Sequence, residues 1–329
     1  MKDLKKAKII DTHFHLPMLN PAYSSMSELP INFIAKVGLK SYLKILKTEM
    51  QEDLTIVRKG IEKRIVEIVN ESKVDKTVLF GFDGAYDNNG EMIMKHSVLV
   101  TPNAEVYRVV KENNKFLPGP SINPMRKDAL EQLEIAKEQN AVLIKFLPGK
   151  MLFDPSDKKF TKFYEKAKEL DLIILSHVGQ EHALPGMKIV NSLNKLEKLE
   201  LMLEIGCKVI VAHGGGYSWF REKQRFAKVV AWLEKYPKMY IDNSALSSAH
   251  RKVTMYSILN NQLAHSRTIF GTDFPVPNYP EPFIFRLGRE KVNELKAISN
   301  PIDRDIEIKK ALGFSDDSFR RLSELISLQ

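Results

Sequence analysis

The residues best suited to bind a metal ion or move a proton stand at the ends of short apolar runs. The first run, Ile9-Ile10-Asp11-Thr12-His13-Phe14-His15, ends in His-x-His. In an extended chain alternate residues share a face, so Asp11, His13 and His15 point to one side. Two imidazoles one pleat apart can hold one ion. Ile173-Ile174-Leu175-Ser176-His177 ends in another histidine, and so does Val209-Ile210-Val211-Ala212-His213, which runs into Gly214-Gly215-Gly216. Thr268-Ile269-Phe270-Gly271-Thr272-Asp273 ends in an aspartate, and Val142-Leu143-Ile144-Lys145-Phe146-Leu147 carries a lysine inside an apolar run. A lone histidine closing a strand is more often a satisfied structural residue. Four of the eight histidines, a lysine and an aspartate at five such places call for a shared task. Imidazole and carboxylate donors suit Zn²⁺, Mn²⁺ or another divalent ion. The single cysteine, Cys207, excludes both a thiolate zinc site and an internal disulfide.

Those runs belong to a longer series. Eight strand patterns recur: Ala7–His15, Lys76–Phe82, Phe116–Asn123, Ala141–Leu147, Leu172–His177, Lys208–His213, Met239–Asn243 and Thr268–Asp273. Helical patterns lie between them. Asp53–Asn70 sets Val57, Ile61, Ile65 and Val69 on one face, and Thr101-Pro102 reads as an N-cap followed by proline at the first position of a helix over Asn103–Asn113. Phe160–Leu170, Asn191–Ile205 (stopped by Gly206) and Phe220–Tyr236 (stopped by Pro237) continue the alternation. Strands alternating with helices imply βαβ units and a parallel sheet. Eight units suggest a closed (β/α)8 TIM barrel, although a doubly wound sheet shares the pattern. In a barrel the active site lies at the C-terminal ends of the strands, where the residues above fall. The expectation is an α/β chain forming one barrel domain over 1–329, with a lid-like insertion over 17–53 after the first strand and extra C-terminal helices over 303–329. The insertion is too long for a simple connection and serves as lid, substrate wall, packing insertion or dimer contact.

Composition narrows the alternatives. The chain is 43% hydrophobic and 28% charged, with no apolar stretch long enough to span a membrane. Its basic start, Met1-Lys2-Asp3-Leu4-Lys5-Lys6, lacks the apolar core of a secretion signal, so a cytoplasmic location is expected. The net charge of +9 invites a nucleic-acid reading. Against it, the basic residues mostly alternate with acids, as in Lys162-Phe163-Tyr164-Glu165-Lys166-Ala167-Lys168-Glu169, and no basic-aromatic tract appears. The expected partner is a small molecule, with an anionic one favoured by the charge, and not a nucleic acid or a membrane.

Taken in order, His13-Phe14-His15, Lys145, His177, His213 and Asp273 resemble the amidohydrolase superfamily. The wording of Ile10-Asp11-Thr12-His13-Phe14-His15, Val211-Ala212-His213-Gly214-Gly215 and Gly271-Thr272-Asp273-Phe274-Pro275 is similar to its amidohydrolase-2 branch. The resemblance runs from Ile9 to Pro275. It implies a metal-dependent TIM-barrel hydrolase that uses a metal-activated hydroxide on a small amide, ester, lactone or related bond. It also implies metal ligands at His13, His15, Lys145, His177, His213 and Asp273. Members with a lysine at the position of Lys145 carry it as a CO₂-derived carbamate bridging two ions, and this binuclear arrangement is preferred here. Asp273 is then the natural proton acceptor and donor. The competing expectation is a mononuclear-zinc, non-oxidative decarboxylase similar to aminocarboxymuconate-semialdehyde decarboxylase, with His213 left as general acid/base and Lys145 as a cation. Some relatives on this barrel cleave DNA, and a non-catalytic metal-binding protein is a further reading. A homodimer is common among similar proteins.

Weaker candidates surround this set. Asp11 is placed to orient a ligand histidine or to serve as a buried cap. Glu181, Lys150, Asp83, Asp242 and Asn243 fall at the expected mouth, where each would contact substrate. Gly214–Gly216 either brings backbone amides to an anion or makes a tight turn. His96, His250 and His265 read as surface or loop histidines.

Overall fold

The computed structural model describes residues 9–16, 46, 54–97, 99–181, 189–215 and 222–326. Among these residues eight strands form: β1 (Ile10–His15), β2 (Lys76–Phe80), β3 (Phe116–Gly119), β4 (Leu143–Phe146), β5 (Ile173–Ser176), β6 (Val209–Val211), β7 (Met239–Asp242) and β8 (Thr268–Ile269). Each lies inside one of the eight patterns read from the sequence. They are rich in Ile, Val and Leu, and every residue of β4, β5 and β6 is buried, as in a parallel sheet covered on both faces. β1, β2 and β3 are neighbours in that order, as are β4 through β8. A parallel bridge from Ser121 to Lys145 links the end of β3 to β4, and one from Phe14 to Phe274 links β1 to the residues after β8. This cyclic order is that of a (β/α)8 TIM barrel.

Among the described residues the intervening helices of five residues or more are α1 (Leu54–Glu71), α2 (Asn103–Glu112), α3 (Ala129–Glu138), α4 (Thr161–Glu169), α5 (Glu200–Ile205), α6 (Glu222–Lys235), α7 (Lys252–Leu259) and α8 (Gln262–Ser266). After β8, beyond a single turn of helix at Ile284–Leu287, come α9 (Arg289–Ala297), α10 (Pro301–Leu312) and α11 (Asp316–Ile326). On α1, Val57, Ile61, Ile65 and Val69 are buried as their spacing requires. No described helix is long and apolar enough to cross a membrane. The lid-like segment expected over 17–53 lies outside the described residues but for the buried Leu46. Gly216 and the start of the helix expected from Phe220 lie outside them as well.

Three local expectations are corrected. Thr101 does not cap α2: Pro102 occupies the N-cap position without a side-chain cap, and the Thr101 hydroxyl donates to the Leu16 carbonyl at 2.8 Å. The third strand stops at Gly119 rather than Asn123, because Pro120 has no N–H to continue the ladder. The helix expected over Asn191–Ile205 begins only at Glu200. Before it lie two 3₁₀ turns, in which the Asn191 and Asn194 side chains accept from the Glu181 and Gly149 backbone N–H groups. Asparagine side chains compete with helix in this way.

The chain divides into two compact units. One holds the described parts of Met1–Phe14, Ile68–Val78 and Ile210–Gln329. In it, Thr12 N donates to Phe270 O at 3.0 Å and Asp273 N to His13 O at 2.6 Å, which joins β1 to the β8 segment. Asn300 caps α10, accepting from the N–H groups of Ile302 and Asp303, with Pro301 at the first position. α11 lays Phe319 against Phe270, ring centroids 4.9 Å apart. The other unit holds the described parts of His15–Glu67 and Leu79–Val209. Its core includes Phe146, Phe153 and Phe160 in edge contacts of 5.1 and 5.7 Å.

Candidate metal centre

In the first unit, β1, β6, β7 and the end of β8 deliver His13, His213, Asp242 and Asp273. The His13 and His213 rings stack with centroids 5.3 Å apart. Their Nδ1 atoms face a common anchor. His13 Nδ1 lies 2.8 Å from Asp242 Oδ2, and Ser244 Oγ is 2.9 Å from both Nδ1 atoms. Ser244 Oγ donates to Asp242 Oδ1 at 2.5 Å, and His213 Nδ1 also faces the Ser244 carbonyl at 3.1 Å. Asp242 Oδ1 further accepts the backbone N–H groups of His213 (2.7 Å) and Ser244 (3.0 Å). Burial alone would raise the Asp242 carboxyl. The His13 and His213 imidazoles and the Ser244 hydroxyl outweigh it and hold the group well below the usual carboxylate range. An anionic Asp242 fixes the proton on His13 Nδ1, and the Ser244 carbonyl fixes that of His213.

The opposite ring nitrogens then converge on one carboxylate. His13 Nε2 lies 3.2 Å from Asp273 Oδ1, and His213 Nε2 lies 3.8 Å from Asp273 Oδ2. With both Nδ1 atoms bonded behind, two nitrogen lone pairs and an anion face one another, and a proton or a metal cation among them removes their repulsion. The donor set and its tautomers therefore fit a divalent metal. His13, His213 and Asp242 also offer donor atoms within 4.8 Å of one another. That face is closed by the hydrogen bonds above, which leaves the Nε2 side as the one with donor atoms to offer a metal.

The backbone is bent to serve this arrangement. His213 and Asp273 both lie in the left-handed region, with φ of 58° and 60°. Neither is glycine, and such strain persists only where surrounding contacts hold it. Gly214, with φ of 64°, completes a tight turn, and a side chain there would strike Ile258 and Thr254 at 2.9 Å. Asp11 is fully buried. It accepts from the His13 backbone N–H (3.1 Å), the Thr272 N–H (2.9 Å) and the Thr272 hydroxyl (2.6 Å), so these bonds tie backbone rather than an imidazole ring. Burial pushes its carboxyl up to about 7, against the Thr272 bonds. Asn243 is buried too, its side-chain oxygen taking the Gly271 N–H at 3.3 Å.

In the second unit the Phe80 and Phe82 rings carry three of the remaining candidates. His15 stacks on Phe82 at 4.6 Å, Lys145 Nζ lies 5.5 Å from the Phe80 ring centre, and Lys150 Nζ lies 5.4 Å from that of Phe82. Lys150 is 2% exposed and donates to the Asp83 carbonyl at 2.6 Å. Burial pulls its ammonium down to about 8, opposed by the Asp83 charge. The Asp83 carboxylate accepts from Asn123 N (2.7 Å), Gly84 N (2.8 Å) and Tyr86 Oη (3.0 Å), and pairs with Arg126 at 3.4 Å. His177 Nδ1 lies 3.7 Å from Glu181 Oε2.

A family model described as Amidohydrolase (Amidohydro_2) matches residues 10–295. The chain belongs to the amidohydrolase family. It is an enzyme of the amidohydrolase superfamily, whose members work with metal ions. No curated protein matches this amidohydrolase. Among solved structures it is similar to an uncharacterized TIM-barrel protein from Bordetella bronchiseptica (16% identity, 97% of this chain and 99% of that one, TM-score 0.58). It is also similar to a candidate 2-pyrone-4,6-dicarboxylic acid hydrolase from Pseudomonas putida (13% identity, 96% and 97% covered, TM-score 0.56). A third is a 5-carboxyvanillate decarboxylase from Novosphingobium aromaticivorans with bound manganese (11% identity, 95% and 97% covered, TM-score 0.51). At these identities the likenesses speak for the fold. The neighbours of the amidohydrolase thus include both a hydrolase and a decarboxylase.

Sequence reasoning placed Asp242 on the substrate side. The structure turns both its oxygens onto the histidines and Ser244, with the carboxylate at the end of β7 fully buried on their Nδ1 side. Ser244 was missed altogether. Its signal was the two-residue spacing from Asp242, which gives two polar side chains on one side of a strand leaving a buried sheet.

Proposed function

We propose that this amidohydrolase is a metal-dependent hydrolase acting on a small amide, ester, lactone or related substrate. The convergence of His13 Nε2, His213 Nε2 and the Asp273 carboxylate carries this reading. When bound, a divalent ion such as Zn²⁺ or Mn²⁺ supplies Lewis acidity, polarising a substrate oxygen and acidifying water. Asp273 accepts the proton of the attacking water through one carboxylate oxygen and passes it to the leaving group. Asp242 and Ser244 hold both histidines with their Nε2 lone pairs turned toward Asp273. His15, Lys145 and His177 belong to the proposed ligand set, with Lys145 as a carbamate if two ions bind. Lys150, held by the Asp83 carbonyl, is proposed to meet an anionic group of the substrate, and Asp83 and Glu181 are proposed as further substrate contacts. A mononuclear decarboxylase with Lys145 kept as a cation is the second reading, and the Phe80 ring 5.5 Å from Lys145 Nζ offers such an ammonium a π face.

Metal content per chain, the mass of the peptide bearing Lys145 and turnover of a panel of lactones, amides and aryl carboxylates test the proposal together. Two ions, one added CO₂ and hydrolysis are expected. One ion, unmodified Lys145 and CO₂ release from an aryl carboxylate would install the decarboxylase instead. Metal-free protein that gains nothing from added zinc or manganese overturns both.

A further inference from the structure

Two of the most deeply buried charges of the first unit lie on α10, outside the donor set. Lys309 is 0% exposed and Asp305 2%. Lys309 Nζ donates to Asp305 Oδ2 at 2.6 Å and to the Gly271 carbonyl at 2.7 Å, and lies 4.8 Å from the Phe270 ring centre. Asp305 Oδ1 accepts from the Ser247 hydroxyl at 2.5 Å. One ion pair therefore grips two separate segments. Gly271 stands two residues before Asp273, and Ser247 closes the turn that begins with Asp242, Asn243 and Ser244.

We propose that the Lys309–Asp305 pair is a positioning device for Asp273, so that the C-terminal helix α10 works as part of the site's scaffold. The Gly271-Thr272-Asp273 segment is held from three sides. Lys309 takes the Gly271 carbonyl, Asn243 takes the Gly271 N–H, and Asp11 takes the Thr272 N–H and hydroxyl. What the clamp maintains is costly: Asp273 sits at a φ of 60°, its N–H bonded to the His13 carbonyl. Stability alone gives a poor account of the pair, because a buried ion pair exchanged for apolar residues of similar volume is often neutral or better for folding. A charge pair adds direction: a charged, short bond fixes a carbonyl where apolar packing leaves it free to rotate. The inference rests on the role given above to Asp273, and its test is arranged to be read without metal.

The double variant Asp305→Leu, Lys309→Met separates positioning from anchoring. In metal-free protein, amide hydrogen exchange at Asp273 is expected to quicken about tenfold or more, while the interior amides of α10 keep their protection. Zinc affinity, measured against a competing chelator, is expected to fall about 10- to 100-fold. An unchanged Asp273 amide overturns the proposal, and so does equal loss of protection along α10, which would make the pair a plain helix anchor. Should the double variant fail to fold, Ser247→Ala removes only the hydroxyl held by Asp305 and is read by the same exchange measurement. Failure of the parent to bind zinc counts against the metal-dependent reading alone, since the exchange result still decides the positioning role.

Discussion

Lys150→Met should make the protein more stable at neutral pH, and the size of the gain follows from where the lysine lies. Lys150 is 2% exposed, above an aromatic ring, and its Nζ has the Asp83 carbonyl as its hydrogen-bond acceptor. Burial brings its pKa from 10.5 to about 8. At about 1.4 kcal/mol per pKa unit, carrying the charge at pH 7 costs the folded state roughly 3 kcal/mol. Methionine relieves that cost and forfeits one hydrogen bond worth about 1 kcal/mol, leaving a net gain of roughly 2 kcal/mol. The sign in pH is fixed by linkage. Below the folded pKa both states of the parent are protonated and the cost is constant. Between about 8 and 10.5 the unfolded chain binds the proton that the folded chain has released, so rising pH stabilises the parent. The advantage of the variant must therefore shrink across that window. Urea denaturation of both proteins, followed by circular dichroism at about pH 7, 9 and 10, measures it. A variant less stable than the parent at neutral pH, or an advantage that does not change with pH, refutes the reasoning. A rise in KM alongside the gain in stability would mark Lys150 as a residue kept for substrate at the expense of folding.

Three further perturbations bear on the proposed metal centre. Asp273→Asn keeps the shape of the side chain and removes the proton acceptor, so kcat should fall about 10²- to 10⁴-fold; near-wild-type turnover would remove Asp273 from catalysis. Ser244→Ala deletes the hydroxyl shared by His13 and His213. Zinc affinity should weaken about 10- to 100-fold with little change in secondary structure, as read by chelator competition and circular dichroism. In Gly271→Ala the new Cβ would meet His13 Cβ at 2.7 Å and Ser244 Cβ at 3.3 Å. The strand or the ring must shift, at about 1–3 kcal/mol, and thermal unfolding together with metal content should show both losses.

What the sequence made legible follows the range of the interactions involved. Strand positions could be read because each strand is a short buried run with a period of two or with none, and His13 and His15 declare their shared face by spacing alone. His213 and Asp273 could be read because a polar side chain closing a buried run is a local anomaly. The partners that aim these residues are another matter. Asp242 looks the same in sequence whether it faces a substrate or the back of an imidazole; only the left-handed turn at His213, which brings that residue's N–H to the carboxylate, decides between the two. Ser244 has no distinguishing neighbour in the chain until His13 and His213 are brought beside it. Lys309 lies 36 residues beyond Asp273 on an amphipathic helix, where a lysine ordinarily faces water. Its burial shows only once α10 is seen to present it to the Gly271 carbonyl. The donors of this centre are thus written as strand endings, while the contacts that give them one tautomer and one direction join segments far apart in the chain. A search for the next such residue should start from buried charges on the outer helices and ask which strand-end carbonyl each one holds.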